Sequence, residues 1–185
     1  MKKKLMAVAL ATIIAVMAVA GASLAWLKDS TQTVTNTFTE GKVDIELAET
    51  GTTNNAKSYK MVPGDELSKD PKITVKAVSE KCYLFVKVEE VNDVEKFLTY
   101  GIADGWELVN GETDVYYRVV DDMDADQEFN VLDGNIVTVN KTVVMNDMNA
   151  LSSANYPQLK FTAYAVQFAN VADVDEAWDI ATAQN

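Results

Sequence analysis

The sequence contains no histidine and only one cysteine among its 185 residues. Without histidine, the chain cannot form an H-E-x-x-H zinc site, a serine–histidine or cysteine–histidine pair, or a histidine acid–base catalyst. It also has no Gly-rich phosphate loop, and its 28 acidic residues single out no pair for hydrolysis. Cys82 cannot form an internal disulfide, and its alternating apolar surroundings predict a small core residue. These absences predict a protein that is not an enzyme.

Internal repeats and Pro- or Ser-rich linkers are also absent, so a single domain is expected. Hydrophobic residues make up 48% of the chain and charged residues 24%, which is a globular composition. The net charge of −12 opposes binding to nucleic acid or to anionic lipid, because both need a cationic face.

The N-terminus has the arrangement of a signal peptide. Three lysines at positions 2–4 precede an apolar run at 5–27 that has small residues near its end. Cleavage after Ala22 and cleavage after Ala25 both fit these small residues. An uncleaved membrane anchor is the alternative, since about 20 apolar residues can span a bilayer. Cleavage after Ala25 would remove three lysines and no acid, which changes the net charge from −12 to −15.

The rest of the chain is dominated by alternation of apolar and polar residues, which predicts an antiparallel β-sandwich. Six segments show this pattern or a Tyr- and Val-rich composition, at 42–47, 72–78, 82–91, 114–120, 135–144 and 158–168. Pro63-Gly64 predicts a type II turn, and Asn110-Gly111 and Asp133-Gly134 predict hairpins.

Helical signal is sparse. Weak patterns at 94–102 and in "MNDMNALSSA" predict short helices. The C-terminal segment is stronger, because Asp173 can cap a helix whose apolar stripe has helical spacing. The stripe consists of Val174, Ala177, Trp178 and Ala181.

The stretch at 26–40 is threonine-rich and therefore strand-prone, but it has few apolar residues. These are Trp26, Leu27, Val34 and Phe38. It could be an edge strand of its own domain, a flexible leader, or a strand donated to a neighbour. In a strand, the face of Trp26, Val34 and Phe38 also carries Lys28, Ser30, Gln32 and Asn36, so the inward face would be partly polar.

One acidic run suggests a metal site. Asp122, Asp124 and Asp126 have the D-x-D-x-D spacing that begins a Ca²⁺ loop. Gln127 then stands where such loops turn on glycine, and Asp133 stands where they carry glutamate. A weak Ca²⁺ site or a solvated loop is therefore expected, and no other cofactor.

Three segments, in order, resemble the TasA and camelysin family of exported proteins, which are processed by a SipW-type signal peptidase. The first contains a motif of the form N-x-F-x-x-G with two hydrophobic residues after it, filled by Asn36, Phe38, Gly41, Val43 and Ile45. The second is similar to a "PGD" motif followed by a strand, filled by Pro63, Gly64, Asp65, Leu67 and Lys69. The third is a late strand that ends at Gln167.

The resemblance implies a jelly-roll-like antiparallel β-sandwich with a few short helices. It also implies cleavage after Ala25, which leaves Trp26 as the mature N-terminus. The expected organisation is a signal peptide at 1–25, a donor-strand segment at 26–40 and a β-sandwich domain at 41–185. The residues expected at the interface between subunits are Trp26, Leu27, Val34, Asn36 and Phe38.

The resemblance implies that the chain is a secreted structural subunit of a fibre, either in the biofilm matrix or on the cell surface. The expected source is a Gram-positive bacterium. The expected partners are further copies of the chain, joined head to tail, and the signal peptidase. Membrane contact is expected only before signal cleavage. A monomeric secreted adhesin or accessory protein of the same fold is an alternative. A secreted camelysin-like protease is another, and the missing histidine argues against it.

Overall fold

A computed structural model of the chain describes residues 41–53, 56–122 and 124–183. The predicted signal peptide, its cleavage site between Ala25 and Trp26, and the predicted donor segment at 26–40 lie outside the described residues. Ten strands are described: β1 (Ile45–Ala48), β2 (Glu66–Ser68), β3 (Lys72–Val75), β4 (Cys82–Val91), β5 (Leu98–Thr99), β6 (Glu107–Leu108), β7 (Val115–Val120), β8 (Gln127–Asn130), β9 (Ile136–Val139) and β10 (Gln158–Gln167). The described helices are α1 (Val94–Phe97), α2 (Met145–Asn149) and α3 (Val174–Ala183).

The strands form one four-stranded and two three-stranded antiparallel sheets, which confirms the all-β prediction. The four-stranded sheet has the order β10-β4-β7-β6, and β10 pairs with β4 over its full length. The smaller sheets have the orders β1-β3-β8 and β2-β9-β5. Among the strands, β2 is followed directly by β3, and β8 directly by β9. At both places the chain therefore passes from one of the smaller sheets to the other.

The main core lies between the four-stranded sheet and the two smaller sheets. Cys82, Leu84, Val86 and Val88 point from β4 into this core, where Ile73 is one of their partners. Alternation along a strand would leave one face to water, but the opposite face of β4 is buried at Tyr83 and Phe85. Tyr83 and Phe85 on that face belong to a second cluster with Ala177 and Trp178 of α3. The helix covers this face because both strand residues are large and apolar.

Two of the three predicted turns form as expected. The Asp65 N–H donates to the Val62 carbonyl at 2.9 Å, and Gly64 has the positive φ of 92° that a type II turn requires. Gly111, with φ 84°, lies in the hairpin turn between β6 and β7. The hairpin prediction at Asp133-Gly134 is wrong, since β8 pairs with β3 while β9 pairs with β2 and β5.

The helices are shorter than the sequence pattern suggested, except for α3. The pattern at 94–102 gives one helical turn, after which β5 pairs with β9. The strand predicted at 135–144 ends at Val139. Asp173 caps α3 as predicted, and its carboxylate accepts the Glu176 N–H at 3.0 Å. No helix in the described part of the chain is long and apolar enough to cross a bilayer.

Candidate functional site

A cleft of about 1080 Å³ opens beside β10, where that strand faces β1 and the β2-β9-β5 sheet. Its apolar walls include Leu47, Leu67, Leu98, Val137, Leu159 and Phe161. Leu159 and Phe161 pack against the main core yet stay partly exposed, whereas Val88 opposite Phe161 in the sheet is 2% exposed. The main core is therefore open along this side of the sandwich.

The edge of β10 that borders the cleft offers backbone hydrogen-bonding groups. The Val88 N–H donates to the Asp114 carbonyl at 2.8 Å, so even-numbered residues of β4 direct their backbone groups toward β7. Odd-numbered residues of β4 therefore face β10, and the register leaves Leu159, Phe161 and Ala163 with outward backbone groups. Within the described residues no strand pairs with this edge. An extended peptide could add to the sheet here.

The other half of β10 lies beside the start of the described chain. Gly41 lines a small cavity of about 300 Å³ together with Gln167 and Phe168, which follow one another at the far end of β10. Leu47 and Ala48, at the end of β1, line the large cleft together with Gln158 to Ala163. β1 therefore runs antiparallel to β10, and Gly41 lies at the end of β10 that is remote from the cleft.

A partly buried ion pair lies in the cleft wall. Lys69 Nζ lies 2.8 Å from Glu49 Oε2, and the two side chains are only 13% and 12% exposed. The Tyr59 hydroxyl donates to the other oxygen of Glu49, Oε1. Burial and this hydrogen bond raise the pKa of Tyr59 well above its ordinary value. Lys69 Nζ also lies 5.5 Å from the centre of the Tyr59 ring and 5.1 Å from that of Phe161. We call Glu49, Tyr59 and Lys69 the polar cluster.

The rest of the cleft rim is cationic. Lys57, Lys60 and Lys160 line the cleft beside Lys69, and Glu49 is the one acid among the described lining residues. Lys57 donates to the Thr50 carbonyl at 3.0 Å, and Lys160 lies 3.5 Å from Glu89. The cleft is thus a positive region on a chain with net charge −12.

The predicted calcium loop lies between β7 and β8, away from the cleft residues. Asp122 and Asp124 are exposed there. Asp126 is tied to the end of β3, since its carboxylate accepts the Ala77 N–H at 2.7 Å and lies 3.6 Å from Lys76 Nζ. In the described ranges no three His, Cys, Asp or Glu side chains group as metal ligands would. The weak Ca²⁺ site therefore remains a prediction.

Cys82 is a core residue, as predicted. It is fully buried, and burial raises the pKa of its thiol to about 11. The thiol is therefore protonated at neutral pH and is not a nucleophile.

The predicted interface residues Trp26, Leu27, Val34, Asn36 and Phe38 lie outside the described residues, so the structure does not place them. The sequence analysis missed Glu49 and Tyr59 as site residues. Lys69 was identified only as part of the motif that begins at Pro63-Gly64. The three residues of the polar cluster have no common sequence pattern, because they meet only in the folded chain.

Comparison with known proteins gives a match to a family model. The family model described as camelysin metallo-endopeptidase matches residues 1–98. No curated protein and no solved structure matches the chain. The described part of the matched range includes β1 to β4 and the polar cluster, whereas β10 lies beyond it.

Proposed function

The chain belongs to the camelysin metallo-endopeptidase family, and we propose that it is a structural subunit of an extracellular filament. In this proposal residues 26–40 of one chain occupy the cleft beside β10 of the next chain. The observation that carries the proposal is the cleft itself, an opening in the core beside a strand edge with outward backbone groups. A strand added at this edge would both extend the sheet and cover the opening in the core.

Backbone hydrogen bonds and apolar burial would both favour such a contact. Each backbone hydrogen bond to Leu159, Phe161 or Ala163 would contribute about 0.5–1.5 kcal/mol. Burial of Val34 and Phe38 in the cleft would contribute roughly 1.5–3 kcal/mol each before entropic costs. A head-to-tail contact that does not close on itself then generates a filament.

The start of the described chain is compatible with a contact between subunits. Gly41 lies at the end of β10 remote from the cleft. Fully extended, residues 26–40 would span about 50 Å, so they can reach a neighbouring molecule. They could also fold back along β1 into the cleft of their own chain, and the experiment below separates these two outcomes.

The arrangement of the N-terminus supports export. The basic start, apolar run and small-residue exit are those of a signal peptide, and cleavage after Ala25 by a SipW-type peptidase would free the segment only outside the cell. Assembly would then be confined to the extracellular side of the membrane.

The family description names a metallo-endopeptidase, but the donor set of this chain does not fit a protease metal. The chain has no histidine, and its only cysteine is buried with a protonated thiol. The described residues contain no group of three possible ligands. We infer that the chain is not a protease. Digestion of casein by the pure protein that a chelator abolishes would contradict this inference.

Deletion of residues 26–38 tests the filament. The mature protein should form filaments in electron micrographs, and the truncated protein should be a soluble β-rich monomer with cooperative unfolding. Phe38→Asp should also block assembly, because an unpaired charge would enter an apolar site. Thr37→Asp, on the opposite face of the strand, is the matched control.

Three outcomes would contradict parts of the proposal. Filaments of the truncated protein would show that strand donation is wrong. Failure of the truncated protein to fold, even with added peptide of residues 26–40, would make the segment an ordinary strand of its own domain. A mature protein that is monomeric at every concentration would favour the secreted adhesin.

A further inference from the structure

The cleft is not uniformly apolar along β10. Leu159, Phe161 and Ala163 point into it from successive inward positions of the strand. Lys69 Nζ lies 5.1 Å from the ring of Phe161, so the polar cluster is level with the middle position. Leu159 and Ala163, on either side of Phe161, are themselves aliphatic, and further aliphatic side chains line the cleft.

This order sets a requirement on the strand that fills the cleft. Alternate residues of an added strand would lie level with the three inward residues of β10. The added strand fits best when three alternate residues are apolar, polar and apolar in that order. The polar residue should carry both hydrogen-bond donors and an acceptor. In residues 26–40 one triplet has this pattern, namely Val34, Asn36 and Phe38. The opposite face of the segment is mostly threonine.

We propose that Asn36 binds the Glu49–Lys69 pair in the cleft while Val34 and Phe38 fill the apolar sites beside it. This contact rests on the proposed function and defines the register of the donated strand. The carboxamide oxygen can accept from the Lys69 ammonium, and the amide N–H groups can donate to the Glu49 carboxylate. Asn36 is thus a specificity-determining residue, and its polar side chain on the inward face has a matching site.

The chemistry of the pair explains why an amide fits better than its alternatives. An incoming strand removes the remaining water from Glu49 and Lys69, and dehydrated charges need further hydrogen bonds. Leucine at position 36 would supply none. Aspartate would attract Lys69 but repel Glu49. Asparagine serves both charges without adding a third.

The test compares Asn36→Leu with Gln32→Leu in the mature full chain. Both changes replace an amide with leucine on the same face of the segment, but Gln32 lies outside the triplet. We expect Asn36→Leu to raise the critical concentration of assembly about tenfold, and Gln32→Leu to leave it unchanged. Equal effects of the two variants would overturn the inference.

A second arm changes the cleft. In the double variant Glu49→Leu, Lys69→Met the site is apolar, and Asn36→Leu should no longer weaken assembly and should improve it. If Asn36→Leu weakens assembly as much in this background, the contact is wrong. If the double variant does not fold, the comparison of Asn36→Leu with Gln32→Leu decides alone.

Failure of the filament proposal gives a different result. A wild-type protein that stays monomeric overturns the proposed function, and thermal unfolding of the same variants then tests the contact within one chain. A lower melting temperature for Asn36→Leu than for Gln32→Leu would support the Asn36 contact in that form. Identical melting temperatures would overturn it.

Discussion

Lys69 and Glu49 show how burial changes the role of an ion pair. Lys72 and Glu128 form a second pair with the same 2.8 Å separation, but their side chains are 40% and 57% exposed. An exposed pair contributes about 0–1 kcal/mol, because water and salt screen it. A buried pair that loses one partner leaves an uncompensated charge in the protein interior.

We therefore expect Lys69→Met to lower the free energy of unfolding by about 2 kcal/mol and Lys72→Met by less than about 1 kcal/mol. Chemical denaturation of the two variants beside the wild type measures the difference. The stability loss expected for Lys69→Met is smaller than the loss on breaking a fully enclosed ion pair, because the cleft opens to water. Equal losses would mean that the polar cluster has no special role in stability.

The edge of β10 with which no described strand pairs is the element on which assembly should depend. Ala163 directs its backbone N–H away from β4, toward the cleft. Proline is tolerated at such edge positions, because no ladder hydrogen bond of the domain is lost. Ala163→Pro should therefore leave the domain folded but remove a donor from the incoming strand.

The expected result is a critical concentration raised by more than about tenfold, since a hydrogen bond is lost and the proline ring obstructs the edge. Gln167→Pro is the matched control. The backbone N–H of Gln167 also points away from β4, but this residue lies at the other end of β10. Both variants should unfold at similar temperatures. A folded Ala163→Pro protein that assembles like the wild type would place the interface elsewhere.

Elements with long alternation could be predicted from sequence, and those set by tertiary pairing could not. β4 and β10 each have ten residues with a clear pattern, and both were predicted within a residue. β2, β5 and β6 have two or three residues and exist because a neighbouring strand pairs with them. The error at Asp133-Gly134 has the same origin, because turn chemistry fixes a local bend and not the partner of the following strand.

At the scale of the whole molecule, the cleft could not be predicted from sequence. Its walls bring together residues as distant along the chain as Leu47 and Phe161, and their meeting depends on the packing of sheets. The motif containing Lys69 and the late strand before Gln167 marked two of these walls, but nothing in their residues indicates a gap between them. The donor segment stays a prediction, which rests on its low apolar content, its position after the expected cleavage site and the family resemblance.

Charge should also control assembly of the whole molecule. Subunits that have lost residues 1–25 would carry a net charge of −15 and repel one another, although the cleft rim is cationic. Salt weakens both effects, but the repulsion acts over the longer range. The Debye length falls from about 30 Å at 0.01 M salt to about 8 Å at 0.15 M. Screening should therefore favour association.

We expect assembly, followed by light scattering, to be faster in 0.15 M than in 0.01 M NaCl. Slower assembly in salt would show that ion pairs at the interface, such as those available to Lys57 and Lys60, outweigh the repulsion between subunits.

CaCl₂ and MgCl₂ at matched ionic strength separate screening from a specific site. Greater acceleration by Ca²⁺ that is lost in Asp122→Asn, Asp124→Asn would support the weak calcium loop, because a screening effect does not depend on these two carboxylates. Equal effects of the two cations would make this loop a solvated connection between β7 and β8.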